Sequence, residues 1–270
     1  MINFFSKKSS PIEQKAIPLK NKFPWLNNID NQFDELIDQD INIRINEILS
    51  LHNFFQSSKG RKKLEYLKED LIEVGYPKVA VDLELELMIK IFDKATLNNL
   101  LFNPTGGLNI HKDGNKFKSD KLIYDNFGIL RSAKGKILIV GSSNTLLPIM
   151  TAMLISYILG NITVVQLSSL HINSIPKLIH SLPSEASKFI HFTKLDHNNE
   201  EDRKYIKSLL VSVNWNVVNL WGGNESLNFF YSQLLKNPFR PRIVSMEPLT
   251  GMTIIQNRYI YENKKKIAKE

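Results

Sequence analysis

Residues 136–167 read KILIVGSSNTLLPIMTAMLISYILGNITVVQL. Hydrophobic patterning divides this stretch into strand, turn, helix, turn and strand. Residues 136–140 (KILIV) form a short β-branched run, as in strands buried on both faces. Gly141-Ser142-Ser143-Asn144 follows as a turn. Residues 146–159 are apolar almost throughout, which suits a helix covered on every side. They fall short of the roughly 20 residues a bilayer requires. Pro148 stands near their start and Gly160-Asn161 at their end, so the stretch predicts a buried helix and no membrane span. Residues 162–167 (ITVVQL) make the second strand.

The alternation continues downstream. Residues 171–182 predict a helix, 188–192 a third strand, 199–213 an amphipathic helix and 216–220 (NVVNL) a fourth strand. Gly222-Gly223 marks a turn, residues 224–235 a further helix and residues 242–246 (RIVSM) a fifth strand. Parallel strands need crossover connections, so this pattern predicts an α/β fold: a Rossmann-like parallel sheet with helices on both faces. In such sheets ligands bind at the carboxyl ends of the strands, near the point where strand order reverses. The turns at 141–144 and 221–224 both lie at such ends.

Upstream the reading changes. Residues 1–40 are broken by Pro11, Pro18 and Pro24 and predict an irregular leader, with Phe23 and Trp25 available to pin it to the body. Residues 41–133 form a mainly helical region: Ile41, Ile45, Ile48 and Leu49, then Leu64, Leu67, Leu71 and Ile72, fall at helical spacing. Gly75-Tyr76-Pro77 interrupts it, residues 103–115 predict a loop, and residues 118–132 short strand pieces. The α/β unit spans 134–256, and 257–270 form a basic tail.

Among the 270 residues, 43% are hydrophobic and 23% charged, as in an ordinary globular protein with a real core. Basic residues number 35 against 27 acidic, for a net charge of +8. They are scattered; the densest runs are residues 59–63 (KGRKK) and 264–266. A lysine-rich solvated surface is the plain reading, and attraction to a polyanion, nucleic acid or a phosphate-rich cofactor, is the sharper one. No zinc-finger, RNA-recognition or homeodomain signature is present, so no nucleic-acid partner is expected. Residues 1–10 lack the apolar run of a secretory signal, which sets the expected location as cytoplasmic. Cysteine is absent, which removes disulfides, zinc-thiolate sites and cysteine nucleophiles from these residues.

Three places carry candidate chemistry. An amide such as that of Asn144, at a strand-to-helix turn, can donate to an oxyanion, and the same residue types are also good helix caps. Gly222 and Gly223 would let a phosphate approach the backbone at a helix N-terminus, or serve only as a tight turn. Glu247, at the end of the fifth strand, could act as a general base or be a surface acid. No histidine pair has metal-ligand spacing.

In order and spacing these segments resemble the cofactor domain of the aldehyde dehydrogenase superfamily. Residues 134–144 (KGKILIVGSSN) look like its first strand and asparagine turn, and 160–169 (GNITVVQLSS) like its GN-x-V-V-x-K-P-S strand. Residues 217–225 (VVNLWGGNE) are similar to its Gly-Ser turn, in a Trp-Gly-Gly form closer to the fatty acyl-CoA reductases of the bioluminescence type. Residues 243–247 (IVSME) look like the strand that ends in the family's glutamate. Residues 61–66 and Gly75-Tyr76 are similar to the helical leader of those reductases.

The resemblance implies an acyl-CoA reductase-like protein holding NADP or NAD and acting on an acyl-CoA or acyl thioester. Asn144 and Glu247 would be catalytic; Ser142, Gln166, Ser169, Trp221, Gly222 and Gly223 would contact the cofactor. Gln166 departs from the family's lysine, Pro248-Leu249-Thr250-Gly251 replaces its glycine-lysine turn, and the nucleophilic cysteine has no counterpart before Glu270. The expectation is therefore the cofactor-binding half alone, truncated or split, paired with a separate cysteine-bearing chain or with a second copy of itself. A non-catalytic interaction subunit with the same fold is the alternative.

Overall fold

A computed structural model describes residues 18–102, 133–142, 146–168, 173–180, 182, 185–196 and 198–246. The expected loop at 103–115, the strand pieces at 118–132 and the basic tail lie outside these residues. So do Ser143, Asn144, Ser169 and Glu247.

Five strands, β1 (Lys136–Val140), β2 (Ile162–Gln166), β3 (Ile190–Phe192), β4 (Val217–Trp221) and β5 (Arg242–Met246), form one sheet. Their order is β3-β2-β1-β4-β5, and every pairing is parallel. The order reverses between β1 and β4. The helices that follow β1 and β4, α7 (Leu147–Ile158) and α10 (Asn224–Leu234), carry the chain in opposite directions across the sheet. Right-handed crossovers then put them on opposite faces. The expected Rossmann-like architecture is thus observed, with α8 (Ser174–His180) and α9 (Glu200–Ser212) completing the alternation.

The N-terminal helices are α1 (Leu19–Lys22), α2 (Ile29–Asp38), α3 (Ile41–Gln56), α4 (Ser58–Glu73), α5 (Lys78–Ile91) and α6 (Lys94–Phe102). Between residues 18 and 40 the irregular leader gives way to helix, a correction to the sequence reading. Pro18 and Pro24 do not prevent it: Pro18 precedes α1, and Pro24 opens a single 3-10 turn, where a missing N–H is harmless. Phe23 is buried, and Trp25 stacks on His191 of β3 with ring centres 5.2 Å apart and planes within 6°. The two aromatic residues pin the segment to the sheet edge as the sequence suggested.

The apolar run at 146–159 becomes α7, whose Ile149, Met150, Met153, Leu154, Tyr157 and Ile158 are buried. It lies between β1 and β2 on one side and α3 and α5 on the other, which explains its apolar circumference. Among the described residues no helix is long and apolar enough to cross a membrane.

Two buried polar side chains lock this layer. Arg44 on α3, fully buried, donates to the carbonyls of Leu36 and Gln39 at the end of α2 and of Ile158 at the end of α7, at 2.8, 2.6 and 2.9 Å. Helix C-termini leave such carbonyls unpaired and carry partial negative charge, so they serve as the counter-charge of the guanidinium. Asn161, after α7, accepts from the N–H groups of Lys134 and Gly135 and donates to the Ser156 carbonyl. Gly160 beside it has φ of +82°, a conformation glycine adopts without strain.

Candidate functional site

The switch point between β1 and β4 brings two strand-to-helix junctions side by side. At the first, the Gly141 N–H donates to the Gln166 carbonyl at 2.9 Å, which ties the end of β1 to the end of β2. A Cβ on Gly141 would stand 2.6 Å from Ile149 Cδ1, so a larger residue there would push the end of that side chain aside. Ser142 follows, half-buried, and Leu146 is the N-cap of α7. The expected oxyanion donor Asn144 falls between them, outside the described residues.

The second junction has different requirements. Gly223 is the N-cap of α10, with φ of −74°, and among the described residues no side chain caps that helix. A Cβ on Gly223 would meet nothing within 4 Å, and one on Gly222 would meet only Ser226, at an ordinary 3.4 Å. Neither backbone strain nor packing calls for glycine at Gly223. What its bare backbone leaves is open approach to the first turn of α10, whose N–H groups are unsatisfied and positively polarised.

Trp221 and Asn219 stand on the same face of β4, two residues apart. Asn219 pairs in register with Ile139 of β1, which places both on the α7 face. The Trp221 Nε1 and Asn219 Oδ1 atoms are buried, with no hydrogen-bond partner among the described residues. Ser168 Oγ, just past β2, is in the same condition. Buried polar atoms without partners are uncommon, and each calls for an explanation. The period of two in NVVNLW was a signal that could have grouped Asn219 with Trp221. Nothing in the sequence pointed to Ser168.

Gln166 behaves otherwise. Its side chain is buried; its Nε2 donates to the carbonyls of Leu167 and Leu195 at 3.0 and 2.8 Å, and its Oε1 accepts from Thr193 Oγ1 at 2.5 Å. The amide bridges the ends of β2 and β3. The partners Thr193 and Leu195 have no motif, which is why the sequence suggested only a ligand contact.

Elsewhere a cavity of about 400 Å³ lies between α4 and α8, lined by Lys63, Tyr66, Leu67, Asp70, Ser174 and Lys177. It contains none of the candidate catalytic or cofactor-binding residues named from the sequence. Among the described residues no group of three or more histidines and carboxylates is placed to hold a metal ion.

No family model matches the sequence, and no curated protein matches it. Solved structures do match. A salicylaldehyde dehydrogenase from Pseudomonas putida G7 superposes with a TM-score of 0.59 at 14% identity, over 84% of this chain and 43% of that one. The NADP-dependent glyceraldehyde-3-phosphate dehydrogenase from Bacillus halodurans C-125, solved with NADP, gives 0.61 at 14% identity, over 85% and 45%. An NAD-dependent benzaldehyde dehydrogenase from Corynebacterium glutamicum gives 0.60 at 12% identity, over 84% and 45%. The chain has the fold of part of an aldehyde dehydrogenase. It spans less than half the length of these three structures.

Proposed function

We propose that this chain is the NAD(P)-binding half of an acyl-CoA reductase-like protein of the aldehyde dehydrogenase superfamily. The carrying observation is the junction after β4: an uncapped helix N-terminus behind a glycine that the fold itself does not need, next to the strand switch point. Dinucleotide pyrophosphate suits such a place because backbone N–H groups and the helix dipole both favour an anion. Gly222, Gly223 and the first turn of α10 would hold it, with Trp221 and Ser142 beside it and Ser169 near the end of β2. Bound NAD(P)H would supply the hydride that reduces an acyl thioester to an aldehyde.

The chain's own part in that reaction is positioning and charge stabilisation. Asn144 would donate its amide to the thioester oxygen, where negative charge develops. Glu247 would take up a proton close to the reacting thiol. The thiol itself has no source in these 270 residues, which contain no cysteine, so a cysteine supplied from outside them would complete the site.

Gln166 favours a second reading. With its amide bound to Leu167, Leu195 and Thr193, it offers the adenosine end no charge and no free donor. A non-catalytic interaction subunit that retains the α/β fold fits that feature. Calorimetric titration with NAD and NADP separates the two. The enzyme-half reading expects saturable binding of both with dissociation constants above about 1 μM and no more than a few-fold preference for NADP. Absence of binding to either supports the interaction subunit. Sub-micromolar, NADP-selective binding would overturn the account of Gln166.

A further inference from the structure

The cavity between α4 and α8 belongs to neither strand junction. Two helical stripes line it. Lys63, Tyr66, Leu67 and Asp70 recur at intervals of three and four along α4, so they share one face of that helix. Ser174, Lys177 and Leu178 do the same along α8. Leu67 and Leu178, each 3% exposed, supply buried apolar surface, and Ser174 is buried as well. Tyr66 stands at the rim, half of it exposed, with the Lys62 ammonium 5.7 Å from its ring centre.

The charges of this cavity are not matched. Asp70 is engaged, because the Lys177 ammonium lies 3.4 Å from its carboxylate. Lys63 starts two turns earlier on α4, about 10 Å from Asp70 along the helix axis. That is about one Debye length in physiological salt, so the carboxylate does little for Lys63. Lys63 is half-buried and has no ion pair among the described residues. Nor does the buried Ser174 hydroxyl make a hydrogen bond with another described residue. A partly desolvated ammonium gains from an anionic partner, and a buried hydroxyl from an acceptor. Apolar walls with a few polar groups, around a volume of about 400 Å³, have the makeup of a small-molecule site.

We propose that this cavity binds a small monocarboxylate with an apolar body. Lys63 is the counter-charge and the Ser174 hydroxyl a donor, while Leu67, Leu178 and the Tyr66 ring receive the body. One free ammonium matches a single negative charge. A phosphate group, with nearly two charges, would leave one unmatched in a cavity that already holds Asp70. The site is separate from the junction after β4, and its occupation does not depend on nucleotide binding.

Leucine-methyl NMR on the full chain, with butanoate, hexanoate and octanoate as probes, tests this. The Leu67 and Leu178 methyls are expected to move, with affinity rising about threefold for each added methylene that reaches apolar surface. Octanol has the same body without the charge, and should bind about tenfold more weakly than octanoate. Lys63→Met keeps the aliphatic stem and should weaken octanoate by about the same tenfold, leaving octanol unchanged. Lys59→Met, on the same helix but outside the cavity, should alter neither. The comparison of octanoate with octanol needs no variant, so it decides even if Lys63→Met does not fold. Leu67 and Leu178 methyls that ignore octanoate, or that follow octanol as tightly, overturn the proposal. An equal loss in Lys59→Met also overturns it, by making the attraction one of general surface charge. Inorganic phosphate that moves these methyls as tightly as octanoate would overturn the choice of a carboxylate.

Discussion

The two flanks of the sheet are finished to different degrees. On the β2 side every residue of β2 is buried, the covering helix α7 is itself covered by α3 and α5, and Arg44, Asn161 and Gln166 tie helix and strand ends together. On the β4–β5 side burial alternates or fades: β4 is half-buried at every second residue, β5 is exposed at both ends, and Asn219 and Trp221 keep buried polar atoms without partners among the described residues. Polar networks of this kind rigidify a core. Buried atoms without partners among the described residues occur on both flanks, Arg44 Nη2 and Ser168 Oγ on one, Asn219 Oδ1 and Trp221 Nε1 on the other. The lesson is that the flanks differ in what their hydrogen bonds hold: on the β2 side they tie helix ends to the sheet.

The largest effect that bears on this contrast is catalytic. Without a cysteine, residues 1–270 alone are expected to show no acyl-CoA-dependent NADPH oxidation in an absorbance assay, because loss of a nucleophile costs several orders of magnitude. If a cysteine-bearing chain completes the open flank, mixing the two restores turnover, and Asn144→Ala then lowers it by about 10²-fold. Turnover by this chain alone would break the comparison outright.

Stability distinguishes the flanks next. Arg44→Met strands three helix-end carbonyls and should cost about 4 kcal/mol in denaturant melts, whereas Asn219→Val removes an unpaired buried oxygen and should fall within about 0.5 kcal/mol of the wild type. Equal losses would mean that the Asn219 amide holds the fold together as firmly as Arg44 does.

A smaller effect depends on pH. Burial, with repulsion from His180 as a lesser contribution, pushes the His191 imidazole down to about 4. An unfolded histidine titrates near 6.5, so the unfolded chain binds the proton first as pH falls. Stability should decline by on the order of 3 kcal/mol between about pH 6.5 and pH 4, and level off below. His191→Phe, which keeps a ring against Trp25, should remove that decline; an unchanged acid profile would assign the loss to other groups.

The smallest expected effect is at Gly223. Replacement by alanine meets open space, so melting should shift by less than about 0.5 kcal/mol, as for an ordinary surface substitution. Calorimetry should nevertheless show weakened dinucleotide binding. A large stability loss would make the glycine a structural requirement.

Much of this fold could be read from the sequence. The β-branched runs at 136–140, 162–166 and 217–220, each short and bounded by turn residues, read as strands, and the long apolar run of α7 as a buried helix. The leader departs from its sequence reading because Pro18 and Pro24 sit at the starts of helical turns, where a proline lacks only a donor that would be unpaired anyway. Of the candidate site, the junction glycines were visible, but their difference was not: Gly141 has the Ile149 side chain close by and Gly223 has open space, a matter of three-dimensional neighbours. Likewise Glu84 and Thr193 bond to Leu146 and Gln166, 62 and 27 positions away, where no local pattern reaches.

Arg44 has a consequence for how the molecule comes apart. Its acceptors belong to the ends of α2 and α7, the latter 114 residues along the chain, so neither helix end can fray without stripping a buried cation of its shell. Opening there is joined to opening everywhere. Hydrogen exchange at the last turns of both helices should therefore run at the rate of global unfolding and not of local breathing. The ends of α2 and α7 would stay protected together or be lost together.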